Sequence, residues 1–136
     1  MIDLAVAGDE LFLLRNTGQM VTCTYSRLKL IKPTECKDPA KYTDNRPESS
    51  GSTLVMENTG FTQLIPSSNG FSIYILDPKG KSIYSFSMKL NLVKILFMRL
   101  ADGSTLANKE LTAFTIGPGD LTFAAFGDEV YSARIK

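Results

Sequence analysis

The chain has 136 residues, enough for one domain or part of one. Its hydrophobic share of 43% and charged share of 21% are ordinary for a globular protein, and a net charge of +1 gives no electrostatic reason to expect nucleic-acid binding. Histidine is absent, which excludes Ser-His-Asp and Cys-His catalytic arrangements and histidine-based metal sites.

The N-terminal residues 2–25 read as three β-strands with turns at Gly8-Asp9 and at 15–18, a turn with glycine in its last position. A short outer strand is predicted at 28–32. Proline cannot donate to a sheet ladder, so Pro33 ends that strand.

The chain contains two cysteines, too few for a disulfide framework or a zinc site. We interpret Cys23 as a strand residue and Cys36 as a free thiol at a loop edge. A bridge between them would matter only in a secreted chain, which no glycosylation sequon supports.

A polar stretch, residues 33–53, interrupts the strand pattern with the sequence PTECKDPAKYTDNRPESSGST. Because it has few apolar residues, we expect a long polar loop or disordered insertion, the first part of the chain that trypsin cuts. It is either a solvated connection or a recognition loop, since long loops on rigid scaffolds often carry function. Its most contact-capable side chains are Tyr42, Asp44 and Arg46.

The clearest element is a hairpin at 71–87, FSIYILDPKGKSIYSFS, in which side chains alternate with a period of two. Its turn is Asp77-Pro78-Lys79-Gly80. Aspartate accepts backbone hydrogen bonds, proline sets φ and glycine tolerates positive φ. These residues therefore predict a type I turn closed by a left-handed Gly80.

Residues 89–100, KLNLVKILFMRL, form the most apolar run of the chain. An amphipathic helix at a membrane surface or partner is one interpretation. A buried outer strand is favoured by the β-branched and aromatic content and by the flanking strands. A turn at 101–104 and a strand within 108–116 follow, and the glycines at 117 and 119 then break the pattern.

Related hairpins recur at both ends of the chain. GDELFLLR (8–15) matches GDEVYSAR (127–134) position by position, and each follows a small apolar run, LAVA (4–7) or FAAF (123–126). With the central hairpin, these units resemble β-propeller blades of the WD-repeat, NHL or YWTD type, without the Trp-Asp or Gly-His signatures. The resemblance implies an all-β fold of about three antiparallel propeller-like blades, with a single small β-sandwich or barrel as the alternative.

Residues 1–136 would then be one all-β domain or a section of a larger propeller. Closed propellers take at least about four blades, and this length has room for about three. We therefore expect the strands at 2–7 and 129–135 to be open edge strands that pair with a protein partner or another copy of the chain. Alternatively, these strands pair with each other in a smaller closed fold. The expected buried residues include Ile73, Tyr74, Ile75, Phe86, Phe123, Val130 and Tyr131.

The function expected from these features is a non-catalytic protein–protein interaction scaffold. A small-ligand-binding β-barrel and a carboxylate-dependent hydrolase are the alternatives; no cofactor or metal is expected. The carboxylates beside turn glycines, such as Asp9 and Asp128, are explained by hydrogen bonding to the backbone. The candidate partner-binding residues are Tyr42, Asp44, Arg46, Glu129 and Tyr131.

No apolar run reaches the ~20 residues of a transmembrane helix, and the N-terminal residues lack the basic and apolar regions of a signal peptide. We therefore expect no membrane span and a cytoplasmic or nuclear location.

Overall fold

The computed structural model describes residues 1–25, 34–49, 52–54, 56, 60–99 and 109–135. These residues form an all-β fold of thirteen strands in three sheets, and none of the described sheets closes into a barrel. The all-β class is thereby confirmed. The strand predicted at 28–32 and the turn predicted at 101–104 lie outside the described residues.

The first sheet is an antiparallel meander of four strands. Its two-residue loop, Gly8-Asp9, has Gly8 at a φ of 62°, the positive value that a type II′ hairpin requires at its first loop position. Gly18, at a φ of 84°, closes the next turn as its position predicts. The strands are β1 (Asp3–Ala7), β2 (Glu10–Leu14), β3 (Met20–Thr24) and β4 (Glu35–Lys37).

The second sheet has six strands in the spatial order β6-β5-β10-β9-β8-β7. Four of them, β7 (Gln63–Pro66), β8 (Ser72–Asp77), β9 (Ser82–Ser87) and β10 (Asn91–Phe97), form an antiparallel meander. Two short strands from the polar stretch, β5 (Tyr42–Asp44) and β6 (Ser52–Leu54), extend it, with β5 parallel to β10.

The third sheet is a three-stranded antiparallel meander of β11 (Leu111–Ile116), β12 (Leu121–Phe126) and β13 (Glu129–Arg134). Its last hairpin repeats the first hairpin of the chain, because Gly127 has a φ of 65° and opens a two-residue loop between paired residues. The alternative in which the two terminal strands pair with each other is wrong: β1 pairs with β2 and β13 with β12.

The three sheets stack face to face, and the middle one is covered on both sides. Along β8, Ile73 and Ile75 pack toward the first sheet while Tyr74 and Leu76 pack toward the third, as the period of two requires. Each fully buried side chain of this size contributes roughly 1.5–3 kcal/mol. The larger core includes Phe12, Leu14, Met20, Phe61, Ile73, Ile75, Phe86 and Leu92; the smaller includes Leu76, Ile83, Leu111, Phe114 and Phe126.

Polar side chains join the first strands of successive meanders. Leu64 N–H of β7 donates to Asp3 Oδ2 of β1 over 2.8 Å. Gln63 of β7 bonds to Phe114 of β11 twice, because its Nε2 donates to the Phe114 carbonyl and its Oε1 accepts the Phe114 N–H, both over 3.0 Å. The strands β1, β7 and β11 therefore lie side by side.

The central turn differs from the prediction in one detail. The left-handed residue is Lys81, with a φ of 49°, and not Gly80. Asp77 Oδ1 accepts the Gly80 N–H over 3.0 Å, and a Cβ at Gly80 would lie 2.6 Å from Asp77 Oδ2. Glycine is needed there because the carboxylate approaches closely, not because φ is positive.

The burial expectations hold for Ile73, Tyr74, Ile75 and Phe86 and are wrong for Phe123 and Val130. Phe123 is 39% exposed and Val130 68% exposed, and Tyr131 is half-buried. Phe123 and Val130 point to the side of the third sheet that faces away from the second, where none of the described sheets covers them.

The free thiol expected at Cys36 is wrong as well. Cys23 of β3 and Cys36 of β4 are directly opposite in the antiparallel register and form a disulfide. Cys36, which was expected at a loop edge, is a strand residue, and the pairing of β3 with β4 brings the two cysteines together.

The polar stretch 33–53 is not an uninterrupted loop, since it contains β4, β5 and most of β6. Ala40 and Tyr42 belong to the larger core, so the stretch does dock on an apolar surface. The run 89–100 contains the strand β10, so the strand interpretation is right and the helix interpretation is wrong. An outer strand was expected, whereas β10 lies inside the second sheet between β9 and β5.

Candidate functional site

Tyr42, the first of the predicted partner-binding residues, is buried in the core. Its hydroxyl donates to the Gly18 carbonyl over 2.9 Å, and its ring lies 5.2 Å from that of Phe86. Burial raises the pKa of the phenol well above its ordinary value. The side chain thus links β5 of the second sheet to a turn of the first.

Asp44 and Arg46 form a bidentate ion pair at the end of β5. The guanidinium bonds both carboxylate oxygens, with Nη2 2.7 Å from Oδ2 and Nε 3.0 Å from Oδ1, and Arg46 N–H also donates to Oδ1. The hydrogen bonds from the Arg46 guanidinium hold the pKa of Asp44 at about 2 and raise the pKa of Arg46. This pair closes the turn after β5.

Asp44 is the one buried carboxylate among the described residues, and its charge is already matched by Arg46. A carboxylate-dependent hydrolase needs two acids in one cleft with separated pKa values. In the described part of the chain, the structure offers no such pair of buried acids.

Glu129 and Tyr131, the other two candidate partner-binding residues, lie together on β13. The Tyr131 hydroxyl donates to Glu129 Oε2 over 2.5 Å, Lys109 forms an ion pair with the same oxygen, and Lys109 Nζ is 5.9 Å from the Tyr131 ring centre. This cluster is partly exposed. It lies on the third sheet. Tyr42 and Asp44 belong to the second sheet and Arg46 follows it, so the structure does not bring the five residues together.

An apolar surface that the sequence prediction missed covers the side of the third sheet that faces away from the second; we call it the outer face of the third sheet. Strand register places Ala113, Ala125 and Val130 in one row across the three strands. Phe123 stands in the next row, between Thr115 and Ser132.

A second apolar surface lies at the opposite end of the stack, on the side of the first sheet that faces away from the second. On this outer face of the first sheet, Leu4 is opposite Leu13 and Val6 is opposite Leu11. Leu4 and Val6 are each 51% exposed, while the leucines of β2 are half-buried. Val21 and Cys23 of β3 complete the rows, so no charged residue interrupts this face within β1, β2 and β3.

The exposed Leu4 has two buried counterparts in the first strands of the other two meanders. Leu64 follows Gln63 in β7 and faces the preceding sheet with 4% exposure; Phe114 holds the same place in β11, also at 4%. The backbone N–H groups of Leu64 and Phe114 each donate to a side chain of the preceding sheet. The Leu4 N–H donates instead to the side chain of its chain neighbour, Asp3, over 2.9 Å.

A groove opens between the second and third sheets, beside β13. Its volume is about 630 Å³. Thr122 is 4% exposed in its wall, and its hydroxyl has no hydrogen-bond partner in the described structure, a loss of roughly 1–3 kcal/mol for a buried polar group. The lining residues are Lys81, Ile83, Leu96, Phe97, Met98, Arg99, Leu111, Thr122, Ala124, Ala133, Arg134 and Ile135.

Sequence reasoning missed the two outer faces although a signal was present. The runs 4–7 and 123–126 are apolar at successive positions, and such strands are buried on both faces rather than one. The groove left no comparable signal, because its walls come from five separate strands.

No protein-family model, curated protein or solved structure matches this chain. Within the described residues, no helix has the length and apolar character needed to cross a membrane.

Proposed function

We propose that the chain is a non-catalytic protein–protein interaction scaffold whose three sheets are propeller-like blades. Three features support this proposal. Each sheet contains an antiparallel meander, the first strands of the meanders lie side by side, and the middle sheet packs on both faces. Stacked sheets of this kind expose an unfinished packing surface at each end of the stack.

The observation that carries the proposal is the series Leu4, Leu64 and Phe114. Two of its members are buried against a preceding sheet. Leu4 is half-exposed and has the same apolar character, on a face that carries no charged residue within β1, β2 and β3. Contiguous exposed apolar surface of this kind marks sites of protein association. The first sheet is thus equipped to receive another sheet.

The partner that fits best is a second copy of this chain, arranged head to tail. The outer face of the third sheet in one copy would cover the outer face of the first sheet in the other, which continues the two sheet-to-sheet interfaces already present within the chain. Closure requires both contacts at once. Two copies would then supply six blades, within the range of about 4–8 for closed propellers.

Sedimentation equilibrium tests this proposal. We expect the wild-type chain to associate into a dimer, and Leu4→Glu or Val130→Glu to weaken association at least about tenfold, because each places a charge in an apolar contact. Ser68→Glu, in an exposed turn outside both faces, is the control. A wild-type chain that stays monomeric at every concentration would refute the self-association.

The predicted location in the cytoplasm or nucleus stays a prediction. The Cys23–Cys36 bond is an observation against it, because structural disulfides are rare in reducing compartments.

A further inference from the structure

The open edge of the third sheet differs from the corresponding edges of the other two meanders. In the first sheet β4 lies beside β3, and in the second β10 lies beside β9. Among the described residues, no strand occupies the equivalent place beside β13.

The hydrogen-bond pattern identifies which backbone groups this edge presents. Ile135 N–H donates to the Asp120 carbonyl over 3.0 Å, so this pair is of the hydrogen-bonded type. Such pairs alternate along an antiparallel ladder. It follows that Val130, Ser132 and Arg134 direct their N–H and C=O groups away from β12, toward the open edge.

The groove runs along this same edge. Ala133 and Ile135 at the end of β13 form one wall, and Leu96 and Met98 at the end of β10 form the other. A strand added beside β13 would place every second side chain over the groove, since side chains alternate between the two faces. Lys81, Arg99 and Arg134 are among the lining residues that the structure describes, and none of those described residues is acidic.

We propose that this edge and groove together bind an extended peptide strand of a partner protein, with an apolar residue at every second position and an acidic residue at one end. The inference rests on the proposed scaffold function and names a second kind of partner for it, at a surface separate from both outer faces. Main-chain hydrogen bonds to Val130, Ser132 and Arg134 would provide affinity, and the groove would select side chains, as in other strand-addition complexes.

The probe is a fluorescent heptapeptide, Glu-Val-Thr-Leu-Thr-Val-Glu, and its binding to the full chain is followed by anisotropy. We expect saturable binding, and a loss of at least about tenfold when alternate amides of the peptide are N-methylated, because these amides can no longer donate to the edge. Replacing both glutamates by glutamine should weaken binding by a smaller factor and reduce its dependence on salt.

Two pairs of variants locate the site. Ser132→Pro removes an N–H that points to the open edge, whereas Ser132→Ala keeps it; we expect only the proline variant to lose binding about tenfold. Ala133→Phe should fill the groove, while Ser132→Phe places the same ring on the opposite face and should bind the peptide normally. Thermal unfolding of every variant verifies that it is folded.

Equal binding of the normal and N-methylated peptides would overturn the proposal, and so would unaltered binding to a folded Ser132→Pro chain. Binding of dodecanoate in place of any peptide would also overturn it, by identifying the groove as a site for a small amphipathic anion. Sedimentation of Ala133→Phe separates this inference from the proposed function, because Ala133 lines the groove and does not lie on the outer face of the third sheet. A variant that still dimerises but binds no peptide leaves the association of outer faces intact.

Discussion

Gln63 and Phe114 are joined by two hydrogen bonds of 3.0 Å between the side-chain amide of one and the backbone of the other. The bonds hold the first strand of the meander in the second sheet against the first strand of the third sheet. Asp3 and Leu64 make the corresponding contact one sheet earlier, over 2.8 Å. A polar side chain at the start of a first strand therefore fixes the position of the next sheet.

Gln63→Met should loosen the third sheet. The substitution keeps the side-chain volume but leaves the N–H and carbonyl of the buried Phe114 without these partners, so we expect a loss of roughly 1–3 kcal/mol in the free energy of unfolding. Urea denaturation measures this change. Thr62→Met, at the exposed neighbouring position, is the control; an equal effect of the two substitutions would mean that the bonds contribute nothing specific.

Tyr42 should behave as a core residue. Tyr42→Phe removes the hydrogen bond to Gly18 and keeps the ring contact with Phe86, for an expected loss of about 0.5–1.5 kcal/mol. Tyr42→Ala removes both, and we expect a loss of roughly 3–5 kcal/mol by analogy with other buried aromatic residues. Thermal unfolding measures both. If neither variant is destabilised, Tyr42 belongs to a solvated loop, as its polar sequence context first suggested.

Asp44 should make stability depend on acid pH. The Arg46 guanidinium lowers the pKa of Asp44 from its ordinary 3.8 to about 2, so the stabilisation is complete above the unfolded-state pKa and is lost as the pH falls through the folded-state value. We expect the stability advantage of the wild type over Asp44→Asn to shrink between about pH 4 and about pH 2.

Urea unfolding of both chains across this pH range measures that advantage. Glu48→Gln provides the comparison, because Glu48 is exposed and lies 3.5 Å from the same guanidinium; its effect at neutral pH should be smaller. An advantage of the wild type that is unchanged from neutral pH to pH 2 would show that the ion pair does not set the acid response.

The Cys23–Cys36 bond should stabilise the first sheet. The bond spans 13 residues, for which loop-closure entropy gives a stabilisation of about 2–4 kcal/mol. The double substitution Cys23→Ser and Cys36→Ser should reduce the free energy of unfolding by that amount. Thiol titration of the denatured, unreduced protein should find no free thiol; two thiols per chain would mean that the cysteines are reduced.

The strands and turns were predictable because their signals are local. Gly8, Gly18 and Gly127 adopt the positive φ values that their turns require. The side of a sheet that faces solvent was harder to predict, since it depends on how many sheets stack. Phe123 and Val130 have the alternation of buried residues, and they are exposed because they lie at the end of the stack.

The remaining errors come from contacts between distant parts of the chain. Tyr42 stands in a polar stretch without an apolar periodicity, so only the parallel pairing of β5 with β10 brings it into the core. The Cys23–Cys36 bond depends on the register of β3 and β4, which two cysteines at this spacing do not specify. The sequence does carry a signal for the two outer faces, but it does not indicate what covers them.

Mixing two interface variants tests most directly whether the outer faces of the first and third sheets bind each other. Leu4→Glu chains keep an intact outer face on the third sheet, and Val130→Glu chains keep one on the first. We expect each variant alone to sediment as a monomer and an equimolar mixture to form a dimer through one pair of intact faces. This dimer should be weaker than the wild-type dimer, which closes through two such pairs. A mixture that remains monomeric while the wild type dimerises would contradict the head-to-tail arrangement.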